Sequence, residues 1–150
     1  MVMVIVAGAL IFGHFMAIAK IPLIVADWAS GLPLPTPAIM WVVVFIYFIG
    51  GLFMDALALI LLTVPIIYPV ILVLGYDPIW FGVIIVLVSE MGVITPPVGM
   101  NVYVIKGIAK DVPLETIFKG VFPFVVALFV AVGMLMAFPQ IATFLPSLTF

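Results

Sequence analysis

The chain has 150 residues, 69% of them hydrophobic and 7% charged, with a formal charge of −2 and a mean hydropathy of +1.62. Soluble domains carry about 25% charged residues, so the composition excludes an ordinary water-soluble fold, and apolar runs that are continuous rather than alternating favour membrane helices over a barrel. There is no cysteine for a disulfide or thiolate site, no Lys/Arg cluster for nucleic acid, and only one His with no catalytic or metal-ligand grouping around it, which argues against an enzyme.

Residues 1–19 make one apolar helix. It lacks the basic start of a signal peptide and is followed by more membrane sequence, so it is read as a crossing. In residues 20–37, Ile21, Ile24, Val25, Trp28 and Leu32 recur at helical spacing while Lys20, Asp27 and Ser30 lie elsewhere. That pattern predicts an amphipathic arm lying in the interface with Trp28 as its anchor, against the alternative of an extramembrane loop. Ala38 to Ile49 provides 12 residues before Gly50-Gly51, about 18 Å of helix, too short to cross. A second run from Asp55 to Leu74, interrupted by Pro65 and Pro69, leads to the turn Gly75-Tyr-Asp-Pro78. The pair reads as a re-entrant hairpin over residues 38–75 with its tip at Gly50-Gly51; one long tilted helix through Leu62 is the competing reading.

Residues 76–109 are expected to form a discontinuous transmembrane helix, with half-helices from Pro78 to Met91 and from Val98 to Ala109. A polar connector covers 110–119, with Asp111 as N-cap and Pro113 in a first helical turn. The last crossing is 120–139, and 140–150 is a tail. Lys106, Lys110 and Lys119 lie between the last two spans, which by the positive-inside rule puts that loop in the cytoplasm and the Gly75–Pro78 turn outside.

The break itself is Gly92-Val-Ile-Thr-Pro-Pro-Val-Gly-Met-Asn101. Irregular backbone at membrane depth survives only where it is buried in protein or lines a cavity. Pro96 and Pro97 have no N–H, which leaves the carbonyls of Gly92 and Val93 without their usual helical donors. Those oxygens and the Thr95 hydroxyl suit a hard cation. The next half-helix points its first N–H groups back at the break, as an anion would require, and Asn101 adds an amide. Gly92 and Gly99 permit close approach. Together these features fit a transporter coupling Na⁺ or H⁺ to an acidic solute; a proline kink filled by neighbouring helices is the plainer alternative. Asp55 is read as an N-cap, an organiser of the ion site, or both. Glu90 is read as a structural residue ahead of an ion ligand, and His14 as a packing residue ahead of a proton relay.

Gly51-Leu-Phe-Met-Asp55, Pro65-Ile-Ile-Tyr-Pro69, Gly75-Tyr-Asp-Pro-Ile-Trp-Phe-Gly82 and the Thr-Pro-Pro-Val-Gly segment, in this order, closely resemble the C-terminal part of the large membrane (M) subunit of tripartite ATP-independent periplasmic (TRAP) transporters. The resemblance implies an all-α integral membrane fold, half of an elevator-type transporter with a re-entrant helical hairpin and a discontinuous transmembrane helix. It implies Na⁺-coupled uptake of an organic acid, typically a carboxylate, across the bacterial inner membrane, with Na⁺ as coupling ion and no other cofactor. A periplasmic solute-binding protein would deliver the solute, and a small membrane (Q) subunit and lipid would surround the permease. Gly92, Val93 and Thr95 would bind Na⁺ with help from Gly51 to Asp55, Pro96 and Pro97 would make the break, and Gly99, Met100 and Asn101 would lie nearest the solute. The family's M subunit has two inverted repeats and this chain matches the second, so the other wall of the site is expected from the missing N-terminal half. Two rivals are an elevator-type Na⁺/dicarboxylate symporter needing no binding protein, and a non-transporting membrane scaffold.

Overall fold

The computed structural model describes residues 2–147, of which the side chains at 145 and 147 are left aside. The described residues form eight helices and no strand: α1 (Val2–Ile18), α2 (Ile21–Ser30), α3 (Thr36–Phe53), α4 (Ala56–Val73), α5 (Pro78–Ile94), α6 (Met100–Ile108), α7 (Leu114–Ala137) and α8 (Gln140–Ser147). By length and composition α3, α4 and α7 can each cross a membrane, and a fourth crossing is added if α1 and α2 count as one bent span. Large apolar side chains such as Phe15, Phe45, Phe53, Phe122 and Phe124 stand exposed, as expected where the solvent is hydrocarbon.

Helices α1 and α2 meet at 64°. The bend is made at Lys20, whose φ of 55° is left-handed. Ile24 and Trp28 are exposed on α2, in keeping with a membrane-facing side. The opposite side was not legible in the sequence: Pro22, Ala26 and Ala29 are buried, and the two alanines pack with Val70 of α4. Lipid tails are as apolar as the side chains, so helices associate in a bilayer through close packing, which small residues allow.

Helices α3 and α4 form an antiparallel hairpin. The Thr63 hydroxyl donates to the Tyr47 hydroxyl at 2.7 Å, and a Cβ added to Gly50 would lie 2.7 Å from Cδ1 of Leu59. In one straight helix positions 47 and 63 would be about 24 Å apart, so the single tilted helix is ruled out. Two expectations change. The tip is at Met54-Asp55 rather than Gly50-Gly51, because both glycines remain helical within α3. The arm is also 18 residues long, about 27 Å, so it is not too short to cross. Asp55 caps α4, its carboxylate accepting from the Leu57 N–H at 3.1 Å. Pro65 and Pro69 lie within α4 without ending it.

The core lies between α3, α4 and α5. Met40, Val43, Val44 and Tyr47 share it with Leu59 and Ile71 and with Trp80, Phe81, Ile84, Ile85 and Val88. These spacings of three and four place one stripe of each helix inward. Val132 and Leu135 of α7 complete it. Asp77 starts α5, its carboxylate accepting from Ile79 N at 2.7 Å and Trp80 N at 3.2 Å with Pro78 in the first turn. At the other end, α7 begins at Leu114 with Pro113 rather than Asp111 in the capping position. Val112 precedes a proline and is thereby disfavoured from helix, so the start is delayed, and the connector shortens to 109–113. The expected tail contains α8; residues 148–150 lie outside the described part.

Candidate functional site

The helix break runs from Thr95 to Gly99, between α5 and α6. It is shifted from the sequence expectation: α5 continues past Met91 to Ile94, and α6 starts at Met100 rather than Val98. The continuation is a tightened last turn, in which the Thr95 N–H donates to the Gly92 carbonyl at 3.1 Å. Gly92 is therefore not the orphaned oxygen that the two prolines led one to expect. Val93 is. Its third and fourth successors are Pro96 and Pro97, so no helical N–H reaches its carbonyl. The Pro96–Pro97 bond is cis.

Thr95 terminates α5 through its side chain, whose hydroxyl donates to the Met91 carbonyl at 2.5 Å. With its proton so committed, the oxygen keeps lone pairs for another partner. Gly99 then turns the chain at φ 56°, a conformation that glycine adopts without the Cβ penalty. Its carbonyl accepts from Val102 N at 2.8 Å and Tyr103 N at 3.2 Å. The N–H groups of Met100 and Asn101 precede these first intrahelical bonds and face the break with the positive end of α6. Asn101 is exposed and Met100 half-buried.

The hairpin reaches this break through two glycines. A Cβ on Gly51 would stand 2.7 Å from the Ser89 carbonyl oxygen; one on Gly92 would stand 2.7 Å from the Phe48 carbonyl oxygen and 2.8 Å from Cα of Gly51. Each glycine thus turns the side on which a side chain would stand onto a main-chain carbonyl of the facing helix, an approach that any Cβ would block. Gly51, Gly92, Val93 and Thr95 are brought together in this way. Asp55 is not part of the contact: it lies at the tip, exposed and engaged in capping. Glu90 and His14 are likewise exposed. No group of three His, Cys, Asp or Glu occurs among the described residues, so a cation here would be held by neutral oxygens.

Two residues escaped the sequence reading. Ser89 is fully buried beside the glycine contact, and its Oγ has no hydrogen-bond partner; its polarity one turn before Gly92 was the available signal. Trp80 donates its indole N–H to the Leu135 carbonyl at 2.7 Å. The residue that would normally serve that carbonyl within α7 is Pro139, which has no N–H. Trp80 supplies the absent donor and ties the start of α5 to the end of α7.

A hairpin packed against a broken helix, among apolar membrane-length helices, defines a multi-pass α-helical membrane protein with an organised break. Residues 1–141 match the family model described as "Tripartite ATP-independent periplasmic transporter, DctM component". The chain belongs to this family of TRAP transporter large permeases. It is 34% identical over 143 residues to the sialic acid TRAP transporter large permease SiaM of Vibrio cholerae, covering 95% of this chain and 33% of the relative. It is 35% identical over 147 residues to the C4-dicarboxylate large permease DctM of Pseudomonas aeruginosa, covering 98% and 34%. With the isethionate permease DctMQ of Oleidesulfovibrio alaskensis it shares 37% over 148 residues, covering 99% and 22%. The chain thus spans between about a fifth and about a third of the length of these relatives.

Proposed function

We propose that the chain is the C-terminal part of a TRAP large permease that takes up an organic acid across the bacterial inner membrane, driven by a Na⁺ gradient. The observation that carries this reading is the backbone contact between Gly51 and Gly92. It sets the hairpin against the broken helix at the point where the Val93 carbonyl lacks a helical donor and the Thr95 hydroxyl has spare lone pairs. A proline kink would need no such convergence.

In this reading Na⁺ is held by oxygens of Val93 and Thr95, by backbone of Gly92, and by backbone near Gly51 at the end of α3. Asp55 acts one step away, by fixing the start of α4. The acid lies toward Gly99, Met100 and Asn101, where the N-terminus of α6 favours negative charge. Sialic acid, C4-dicarboxylates and isethionate, named for the relatives, are all organic acids, which supports that class for this chain. The hairpin, re-entrant in the membrane, and the broken helix move together as the carrying body of an elevator, and the N-terminal half of the subunit builds the facing wall. A periplasmic solute-binding protein and a small membrane subunit complete the assembly.

The test is Thr95→Val in the complete permease, which keeps the shape and removes the hydroxyl. The Na⁺ concentration for half-maximal uptake should rise about tenfold, as one ion–dipole contact to the cation is lost, at near-normal expression. Thr95→Ser should stay close to the parent. Unchanged Na⁺ dependence in Thr95→Val removes Thr95 from the site.

A further inference from the structure

Helix α5 gives most of its circumference to the core, where Trp80, Phe81, Ile84, Ile85 and Val88 meet α3, α4 and α7. One stripe is left uncovered. Ile79, Val83, Val86 and Glu90 are exposed, and their spacings of four, three and four residues set them in a single seam along the helix. Glu90 ends that seam about 18 Å along the axis from Pro78, the first residue of α5, and the helix between them is apolar up to Ser89. Among the described residues Glu90 makes no ion pair and no hydrogen bond. Asp55 and Asp77, by contrast, cap helices, and Asp111 and Glu115 flank the start of α7.

Lipid tails would suit Ile79, Val83 and Val86 but not a carboxylate, which at membrane depth is costly without a partner. Water would suit the carboxylate but not the three apolar side chains. A helix with an apolar side and one basic residue suits all four. We propose that this seam receives such a helix from the N-terminal half of the subunit, with an arginine or lysine opposite Glu90. The inference rests on the reading above that an N-terminal half completes the permease, and adds which face of α5 that half covers and with what charge. Relatives such as SiaM and DctM are about three times as long as this chain, which covers 33% and 34% of them, so a subunit of that length has ample chain to supply the helix. Arginine fits best, because its planar fork takes a carboxylate through two parallel hydrogen bonds. Glu90 precedes Gly92 by two residues and lies on the side of α5 away from the hairpin, so the pair would fasten the broken helix to the facing wall while Gly92 fastens it to α3.

The experiment uses the complete permease. With p-benzoylphenylalanine at Val83 or Val86, irradiation should give crosslinks that peptide mass spectrometry maps to one helix of the N-terminal half, with a basic residue level with Glu90. Crosslinks to lipid or to the small membrane subunit, or a mapped helix without a basic residue, overturn the proposal. Glu90→Leu supplies the second readout. A carboxylate facing lipid would make this variant more stable than the parent, whereas a paired one leaves a cation stranded and lowers the melting temperature in detergent by several degrees. Exchanging the charges, with Glu90→Arg and glutamate at the mapped basic position, should recover most of that loss. A melting temperature unchanged or raised in Glu90→Leu overturns the proposal, as does a charge exchange that recovers nothing. A stable permease that takes up no organic acid on a Na⁺ gradient is a different failure, that of the transport reading alone, and the crosslinks still decide this one.

Discussion

Gly51 and Gly92 touch backbone to backbone: a methyl on Gly92 would stand 2.8 Å from Cα of Gly51, and one on Gly51 would stand 3.2 Å from Cα of Gly92. The neighbours at this point are main-chain atoms, which cannot rotate aside as a side chain would. Gly92→Ala must therefore push α3 away from α5. We expect a loss of about 1–3 kcal/mol from overpacking, read as a lower melting temperature in detergent, together with weakened Na⁺ dependence of uptake. Gly82→Ala, where an added Cβ meets nothing within 4 Å, is the control and should leave both unchanged. Equal behaviour of the two variants would remove the glycine contact from the site.

Trp80 and Leu135 make a second joint. Trp80→Phe keeps an aromatic ring but removes the N–H that serves the Leu135 carbonyl, and Pro139 cannot replace it. A buried acceptor left without its donor costs about 1–3 kcal/mol. The expected outcome is a lower melting temperature, while Pro139→Ala in the same background should recover part of the loss by returning a helical N–H. No recovery would mean that the indole acts through packing alone.

The hairpin makes a topological prediction. Because Tyr47 lies against Thr63, the start of α3 and the end of α4 are at the same end of the pair. Single cysteines at Leu34 and Asp77, both exposed, should label from one membrane face with an impermeant thiol reagent; Met40 is fully buried and unsuited to this. Labelling from opposite faces would contradict the folded-back arrangement. A further cysteine at Met54 separates the two kinds of hairpin. Access from the opposite face would mean two full crossings, whereas protection in the presence of Na⁺ and solute is the result expected of a re-entrant tip.

Ser89 should behave unlike most core positions. Its hydroxyl is fully buried and unpartnered, a burden of about 1–3 kcal/mol. Ser89→Ala removes the burden with little change in volume, so the melting temperature should rise or stay level. Ser89→Val adds bulk beside Gly51, which already approaches the Ser89 backbone, and should lower it. A clear fall in Ser89→Ala would show that the hydroxyl has a partner in the assembled permease.

Much of this arrangement was legible in the residues themselves. Continuous apolar runs gave the membrane class, Pro96-Pro97 gave the break, and Asp55 was recognisable as a cap because its carboxylate acts on N–H groups two or three residues away. These are local effects, settled by atoms close in sequence. The end points were less legible. Gly50 and Gly51 read as a tip because the 12 residues before them are too few to cross and Asp55 can cap the run that follows, yet they are helical here. The reason is tertiary: Leu59 fills the space beside Gly50, and the Ser89–Gly92 backbone fills the space beside Gly51. Likewise the burial of Pro22, Ala26 and Ala29 on α2 follows from α4, whose Val70 packs with the two alanines. Sequence periodicity identifies an apolar side but not which apolar side meets protein and which meets lipid, since both solvents are equally apolar. That choice, the donor that Trp80 lends to Leu135, and the meeting of Gly51 with Gly92 bring together residues tens of positions apart. Only the packing of the helices decided them.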